Sequence, residues 1–138
     1  MSAAHAQRSV SKTPRDEGGS AVAEFSLVAV VLVPLFFAIL QLALVWHVKT
    51  TITSAASQGA RYAAAYDRDL ADGERRTADV IDQALGRGIV DREQASETDV
   101  DGQRVVQVVV RAKVPTLVFW GPSITVEATG HAVEETLP

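Results

Sequence analysis

The chain has a long apolar run in its first third. From Phe25 to Trp46 no residue is charged, and a helix over these roughly 22 residues would extend about 33 Å at 1.5 Å per residue. The hydrocarbon core of a bilayer is about 30 Å thick. The run is therefore predicted to cross a membrane once as a helix.

A helical pattern continues beyond the apolar run. Apolar and small residues recur there at spacings of three and four, which indicates one face of an amphipathic helix. These positions are Val48, Ile52, Ala55, Gly59, Tyr62 and Tyr66. We therefore expect one helix from about Ala21 to about Tyr66, about 70 Å long by the standard rise.

A second helix is expected after an acidic break. The segment from Asp67 to Glu74 offers acids that can cap a helix start, and the helix is predicted over about Gly73 to Leu85. Gly86 and Gly88 suit its end. Its apolar face would consist of Ala78, Ile81, Ala84 and Leu85. Residues 89–97 are polar and are expected to form a loop.

From Ser96 onward the pattern has a period of two. Between Val106 and Val114 the even-numbered residues are apolar and mostly β-branched, which predicts a half-buried strand that Pro115 ends. Asp101-Gly102 is a tight-turn signal and implies a short strand around residues 98–100. A last strand is expected from Ser123 to Val133. Its apolar face would hold Ile124, Val126, Ala128 and Gly130.

These elements predict an α+β fold with an antiparallel sheet of two to three strands. The apolar face of so small a sheet needs a cover, and the outer part of the first helix has a matching stripe. The expected parts are a leader (1–19), a long helix (20–66, membrane span about 25–46) and an α/β domain (67–138). The apolar loop at 117–120 could close the core, which is the default, or contact the membrane surface or another subunit.

Four residues within or beside the run have specific interpretations. Glu24 could simply lie in the headgroup layer, where it would complement the positive end of the helix. Pro34 removes a backbone donor and predicts a kink. Gln41 could form a hydrogen bond with a neighbouring helix, and Trp46 suits the outer membrane interface.

The first 19 residues are small and polar and are expected to be disordered. Arg8, Lys12 and Arg15 precede the apolar run, which favours a cytoplasmic N-terminus. An ordinary secretory signal, with small residues at Ser54-Ala55-Ala56 for cleavage, is the alternative. The apolar part of such a signal has about 7–15 residues, and this run is longer.

Composition excludes several classes of function. A net charge of -4 provides no basic surface for nucleic acid. The chain has no cysteine, and its three histidines, His5, His47 and His131, have no ligand spacing. No phosphate-binding loop or nucleophile motif is present. We therefore expect no enzyme, no metal and no cofactor.

Two motifs resemble the TadE-like family, which are minor pseudopilins of the tight-adherence (Flp-type) pilus system. The first is Gly19-Ser20-Ala21-Val22-Ala23-Glu24-Phe25, which follows a basic leader and precedes a membrane helix that contains Pro34. The second is Gly59-Ala60-Arg61-Tyr62-Ala63. The resemblance covers about residues 17–66 and implies a small pilin-like domain after the helix.

The resemblance also implies processing and assembly. A membrane prepilin peptidase would cut after Gly19, or after the neighbouring Gly18, and leave Ser20 as the new N-terminus in the first case. The α-amino group of one subunit would then pair with Glu24 of the next, with Phe25 beside it in the assembly motif. The implied partners are the peptidase, other pilins or pseudopilins, the assembly platform and the cytoplasmic membrane.

A second class of function stays open at this point. The chain could be a signal-anchored extracytoplasmic binding module in which the helix only tethers a ligand-binding domain. The first residue of the mature protein separates the two classes. Ser20 would favour the pseudopilin, whereas an intact leader or a start near Ser57 would favour the alternatives.

Overall fold

The computed structural model describes residues 17–65, 67–117 and 122–134. Within these ranges the chain forms two helices and one antiparallel sheet with the strand order β1-β2-β3. The elements are α1 (Glu17–Ala64), α2 (Leu70–Leu85), β1 (Val90–Val100), β2 (Gln103–Val114) and β3 (Ile124–Val133). The predicted α+β class is thereby confirmed. The chain divides into two compact units, one ending at Phe36 and one beginning at Phe37, which we call the α/β unit.

In the first unit, α1 begins earlier than expected. It starts at Glu17 rather than near Ala21, so the expectation that residues 17–19 are disordered is wrong. Extending an existing helix adds one hydrogen bond for each residue fixed and avoids the cost of a new nucleus. The helix continues through Pro34 without interruption, and a kink there stays a prediction. Residues 1–16 of the expected leader lie outside the described residues.

In the α/β unit, α1 covers one face of the sheet. Its buried stripe packs against the even-numbered residues of β2 from Val106 to Val114, which are all buried as predicted. Gly130 on β3 lies directly under this helix, since a Cβ atom there would overlap main-chain atoms of Ala56 and Ser57. The buried residues of α1 are Val48, Ile52, Ala55, Ala56, Gly59, Ala60, Ala63 and Ala64. Tyr62, predicted on this stripe, is instead exposed, and Tyr66 lies outside the described residues.

The start of α2 is set by a capping box. The backbone N–H of Asp72 donates to Oδ1 of Asp69 (2.7 Å), and the N–H of Asp69 donates to Oδ2 of Asp72 (3.3 Å). The same N–H of Asp69, followed by Arg75, lowers the pKa of Asp72. The helix therefore begins at Leu70, three residues before the predicted start.

The buried face of α2 also differs from the prediction. It is formed by Gly73, Thr77 and Ile81, whereas Ala84 is exposed. Spacings of four from Gly73 define this face, and small residues on it let α2 approach α1. Gly86, with a φ of 85°, ends the helix as expected.

The largest error of the sequence interpretation is β1. The segment 89–97 was expected to be a loop, but β1 runs over the full range Val90–Val100 and pairs with β2. It is an edge strand. Its charged side chains and the bulge between Val90 and Arg92 disfavour pairing of this edge with a further strand. The N–H of Ala95 also donates to Oε1 of Glu74 on α2 (2.8 Å). The strand is therefore stabilised by nonlocal partners.

Candidate functional site

Glu24 lies on the exposed, apolar first part of α1. The hydroxyl of Ser20 donates to its Oε1 atom at 3.1 Å, one helical turn away. The next residue, Phe25, is 74% exposed. Among the described residues, this hydroxyl is the hydrogen-bond partner that the structure places at the Glu24 carboxylate. The site thus combines an exposed carboxylate and an exposed aromatic ring at the start of an apolar helix.

The residues after Glu24 form an apolar surface that the described chain leaves uncovered. The most apolar window of α1 has no buried residue, and its length and composition allow it to cross a membrane. Soluble monomers rarely expose apolar patches of this kind. The exposed side chains include Leu27, Val30, Val31, Leu32, Leu35 and Ile39. This helix is therefore a candidate membrane anchor.

The segment Gly59–Ala63 is divided between the core and the surface. Gly59, Ala60 and Ala63 are buried, whereas Arg61 and Tyr62 are exposed. A Cβ atom at Gly59 would overlap Oγ1 of Thr77 and lie 2.7 Å from the carbonyl oxygen of Gly73. The glycine thus permits a close crossing of α1 and α2.

The comparison with protein families now bears on both regions. The family model described as TadE-like protein matches residues 19–61. This segment is TadE-like. The match covers about a third of the chain, begins at Gly19 and ends at Arg61, so that it contains Glu24 and the first three residues of the second motif. Searches of curated proteins and of solved structures gave no match.

The TadE-like segment supports a general assignment. The TadE-like family is a family of pilus components and is not known to be enzymatic. The TadE-like segment suggests a protein associated with the tight-adherence pilus, and the apolar helix, the single candidate span among the described residues, is consistent with a membrane anchor. The same region carries the predicted site residues Gly19, Ser20, Glu24, Phe25 and Pro34.

Beside the TadE-like segment, Tyr62 borders an open polar cavity. Its ring stacks on the guanidinium of Arg68, with 4.7 Å between Cζ and the ring centre. The cavity has a volume of about 350 Å³, and Arg75 pairs there with Asp72. Its lining residues are Tyr62, Asp72, Arg75, Arg76 and Asp79. Charges of both signs line it, so it has no clear preference for an anion or a cation.

Gln41 has a partner that sequence reasoning missed. Its Nε2 atom donates to the carbonyl oxygen of Pro115 (3.4 Å), and its Oε1 atom accepts from the N–H of Leu117 (2.8 Å). The amide that was considered for contact with a neighbouring helix is thus bonded within the chain. These two hydrogen bonds hold the segment after β2 against α1.

The described residues contain no group of three or more His, Asp or Glu side chains that could hold a metal ion. Two carboxylates of α2, Glu74 and Asp82, act on Glu93 of β1. Burial first, and then the charges of Glu74 and Asp82, raise the pKa of Glu93. Their charges therefore affect the pH dependence of stability.

Proposed function

We propose that this chain is a minor pseudopilin that acts in assembly of a tight-adherence pilus after a prepilin peptidase has removed its leader. The observation that carries the proposal is the TadE-like match, which begins at Gly19 and includes Glu24. Glu24 is the one acidic residue between Gly19 and Trp46. A carboxylate in such a helix is costly and calls for a partner.

Cleavage after Gly19 would supply that partner. It would create a free α-amino group on Ser20, four residues before Glu24. Gly18 and Gly19 lie inside the first turn of α1, and each weakens a helix by about 1 kcal/mol relative to alanine. Local unwinding, which a peptidase needs to reach the main chain, is therefore inexpensive at this position.

Assembly would follow from pairing between subunits. A lone carboxylate and a lone ammonium group each cost several kcal/mol in hydrocarbon, and an ion pair offsets part of that cost. The Ser20 hydroxyl is an uncharged donor, so its hydrogen bond to Glu24 does not compensate the negative charge of the carboxylate. Pairing of Glu24 with the Ser20 amine of a neighbour would set the register between adjacent helices.

The proposal includes an orientation and partners. Arg8, Lys12 and Arg15 before the apolar run favour a cytoplasmic N-terminus. The α/β domain would then face the outside, held by one membrane crossing. The partners would be the prepilin peptidase, other pilins or pseudopilins, and the pilus assembly platform.

The test uses two matched variants. Glu24→Gln removes the charge but keeps the side-chain shape and an acceptor for Ser20, whereas Ser20→Ala removes only that hydroxyl. We expect N-terminal sequencing to give residue 20 as the first residue of both mature proteins. Pili should be lost with Glu24→Gln and retained with Ser20→Ala. Normal piliation of the Glu24→Gln strain would refute the assembly role.

N-terminal sequencing also tests the alternative class. A signal-anchored binding module would keep its leader or begin near Ser57, and Glu24→Gln would leave its ligand binding unchanged. Either start site in the mature protein would contradict the pseudopilin.

A further inference from the structure

One end of the α/β unit is built around Gln41. There the Gln41 amide binds the main chain at Pro115 and Leu117. At the same end of the sheet, Val114 of β2 pairs with Ile124 of β3. We call Gln41, Leu117 and Ile124 the rim. Two of its members are large apolar side chains that remain exposed, with Leu117 at 41% and Ile124 at 38%.

The rim is continuous with the apolar surface of α1. Within the α/β unit, Ile39, Leu40 and Leu42 flank Gln41 and are exposed. Leu117 belongs to neither buried cluster in the described part of the chain. Because Gln41 bonds directly to the segment 115–117, lipid that covers α1 up to Gln41 also reaches Leu117. The exposed apolar surface of α1 therefore continues onto the connection that follows β2.

The next turns of α1 fit the headgroup layer. Trp46 lies five residues beyond Gln41 and is 69% exposed. Five residues correspond to a rise of about 7.5 Å, and the headgroup layer on each side of the hydrocarbon is about 5–7.5 Å thick. With the rim at the hydrocarbon boundary, Trp46 lies in the layer that tryptophan prefers.

Charged residues of the α/β unit lie at both ends of the sheet. Lys113 lies at the rim end of β2, paired with Asp91, and Lys49 follows Trp46 on α1. The turn at the other end of the sheet carries Asp99 and Asp101. Asp91 offsets the charge of Lys113, so Lys49 is the cation that favours contact with anionic lipid headgroups, and Asp99 and Asp101 lie at the far end of the sheet.

We propose that the rim rests at the outer boundary between hydrocarbon and headgroups of the bilayer that α1 crosses, so that the α/β unit is a membrane-contacting domain rather than one held clear of the lipid. The proposal rests on the membrane anchor alone and is independent of cleavage and assembly. The competing occupant of the rim is a second subunit.

Single-tryptophan reporters test the contact in the full-length protein. Trp46 and Trp120 are the two tryptophans of the chain. With both replaced by phenylalanine, Leu117→Trp reports on the rim, Ile124→Trp provides a second rim reporter, and Val100→Trp is the control. Val100 is an exposed apolar residue (50%) at the opposite end of the sheet.

The measurement is quenching by lipids brominated close to the headgroup, in vesicles of phosphatidylcholine and phosphatidylglycerol. Both rim reporters should lose most of their emission, and the loss should persist when the protein is diluted in lipid. The Val100→Trp reporter should keep nearly all of its emission. Rim reporters quenched no more than the control, at any dilution, would overturn the proposal and favour contact with a second subunit.

A protein that retains only Trp46 distinguishes the possible failures. Quenching of Trp46 without quenching of the rim reporters would overturn the rim contact while the anchor stands. Absence of quenching at Trp46 and at the rim would contradict the anchor, and the rim contact with it. Neither result depends on where the leader is cut, so the pseudopilin proposal is tested separately by its own experiment.

Discussion

Replacing Gly59 by alanine should separate the two helices of the α/β unit. The added Cβ atom would overlap Oγ1 of Thr77 and would lie 2.7 Å from the carbonyl oxygen of Gly73. Thr77 is completely buried and its hydroxyl donates to that same carbonyl oxygen at 2.8 Å. Because Thr77 is completely buried and the carbonyl belongs to the main chain of α2, we expect α1 and α2 to shift.

The expected loss of stability follows from three contributions. Overpacking of a core costs about 1–3 kcal/mol, and the Thr77 hydrogen bond contributes about 1 kcal/mol. Alanine in place of glycine within a helix stabilises that helix by about 1 kcal/mol. The free energy of unfolding of the α/β unit should therefore fall by about 1–3 kcal/mol.

Hydrogen–deuterium exchange of the α2 amides in detergent micelles measures this change. A loss of 1.4 kcal/mol speeds exchange about tenfold when exchange occurs through unfolding. In the uncleaved protein, Gly19→Ala is the matched control, since a Cβ atom there meets nothing within 4 Å and should leave α2 exchange unchanged.

A double variant decides whether the clash is the cause. Thr77→Ala removes the hydroxyl that the new methyl group would overlap. The combined Gly59→Ala and Thr77→Ala protein should therefore be more stable than the sum of the two single effects predicts. Strict additivity would refute the reasoning, as would exchange in Gly59→Ala as slow as in the parent protein.

Three further predictions concern other contacts. Gly130→Ala should lower the thermal unfolding midpoint followed by near-ultraviolet circular dichroism, because its methyl group would overlap the main chain of Ala56; an unchanged midpoint would contradict this. Gly18→Ala should slow leader removal about fivefold in a pulse–chase experiment, since alanine makes unwinding about 1 kcal/mol harder; an equal half-time would exclude unwinding as a limiting step. Glu93→Gln should stabilise the α/β unit at neutral pH in denaturant titrations. Burial above all raises the pKa of Glu93, so the folded state binds the proton of the Glu93 carboxyl group more tightly than the unfolded state does. The free energy of unfolding therefore falls as the pH rises from below 4.5 through the raised pKa. An unaltered pH dependence in the variant would argue against this.

Local patterns were sufficient for several elements. The alternation from Val106 to Val114 places every second side chain on one face, and that face is buried. The Asp101-Gly102 turn joins β1 to β2, with both residues at positive φ. Gly86 ends α2 for the same conformational reason. In each case the residues that determine the structure lie within a few positions of the strand, turn or helix end that they determine.

The elements that sequence reasoning missed depend on distant partners. β1 has few β-branched residues, and its pairing with β2 and its bond to Glu74 come from elsewhere in the fold. Tyr62 has the spacing of the buried stripe, but the contact between α1 and α2 follows the small residues Gly59 and Ala63 instead. The partner of Gln41 lies 76 residues away. Periodicity alone contains no information about such contacts.

The Gln41 contact also has a consequence for hydrophobic mismatch. If lipid hydrocarbon ends at Gln41, the roughly 20 residues that a bilayer requires reach back to Ala21 rather than to Phe25. Glu24 then lies within the hydrocarbon, and the thickness of the membrane determines how deeply. In a bilayer a few Å thinner, the carboxylate would reach the inner headgroups and lose its need for a partner. Assembly that depends on Glu24 would thus become sensitive to lipid chain length, with the bonds between Gln41 and the β2–β3 connection fixing the outer reference point.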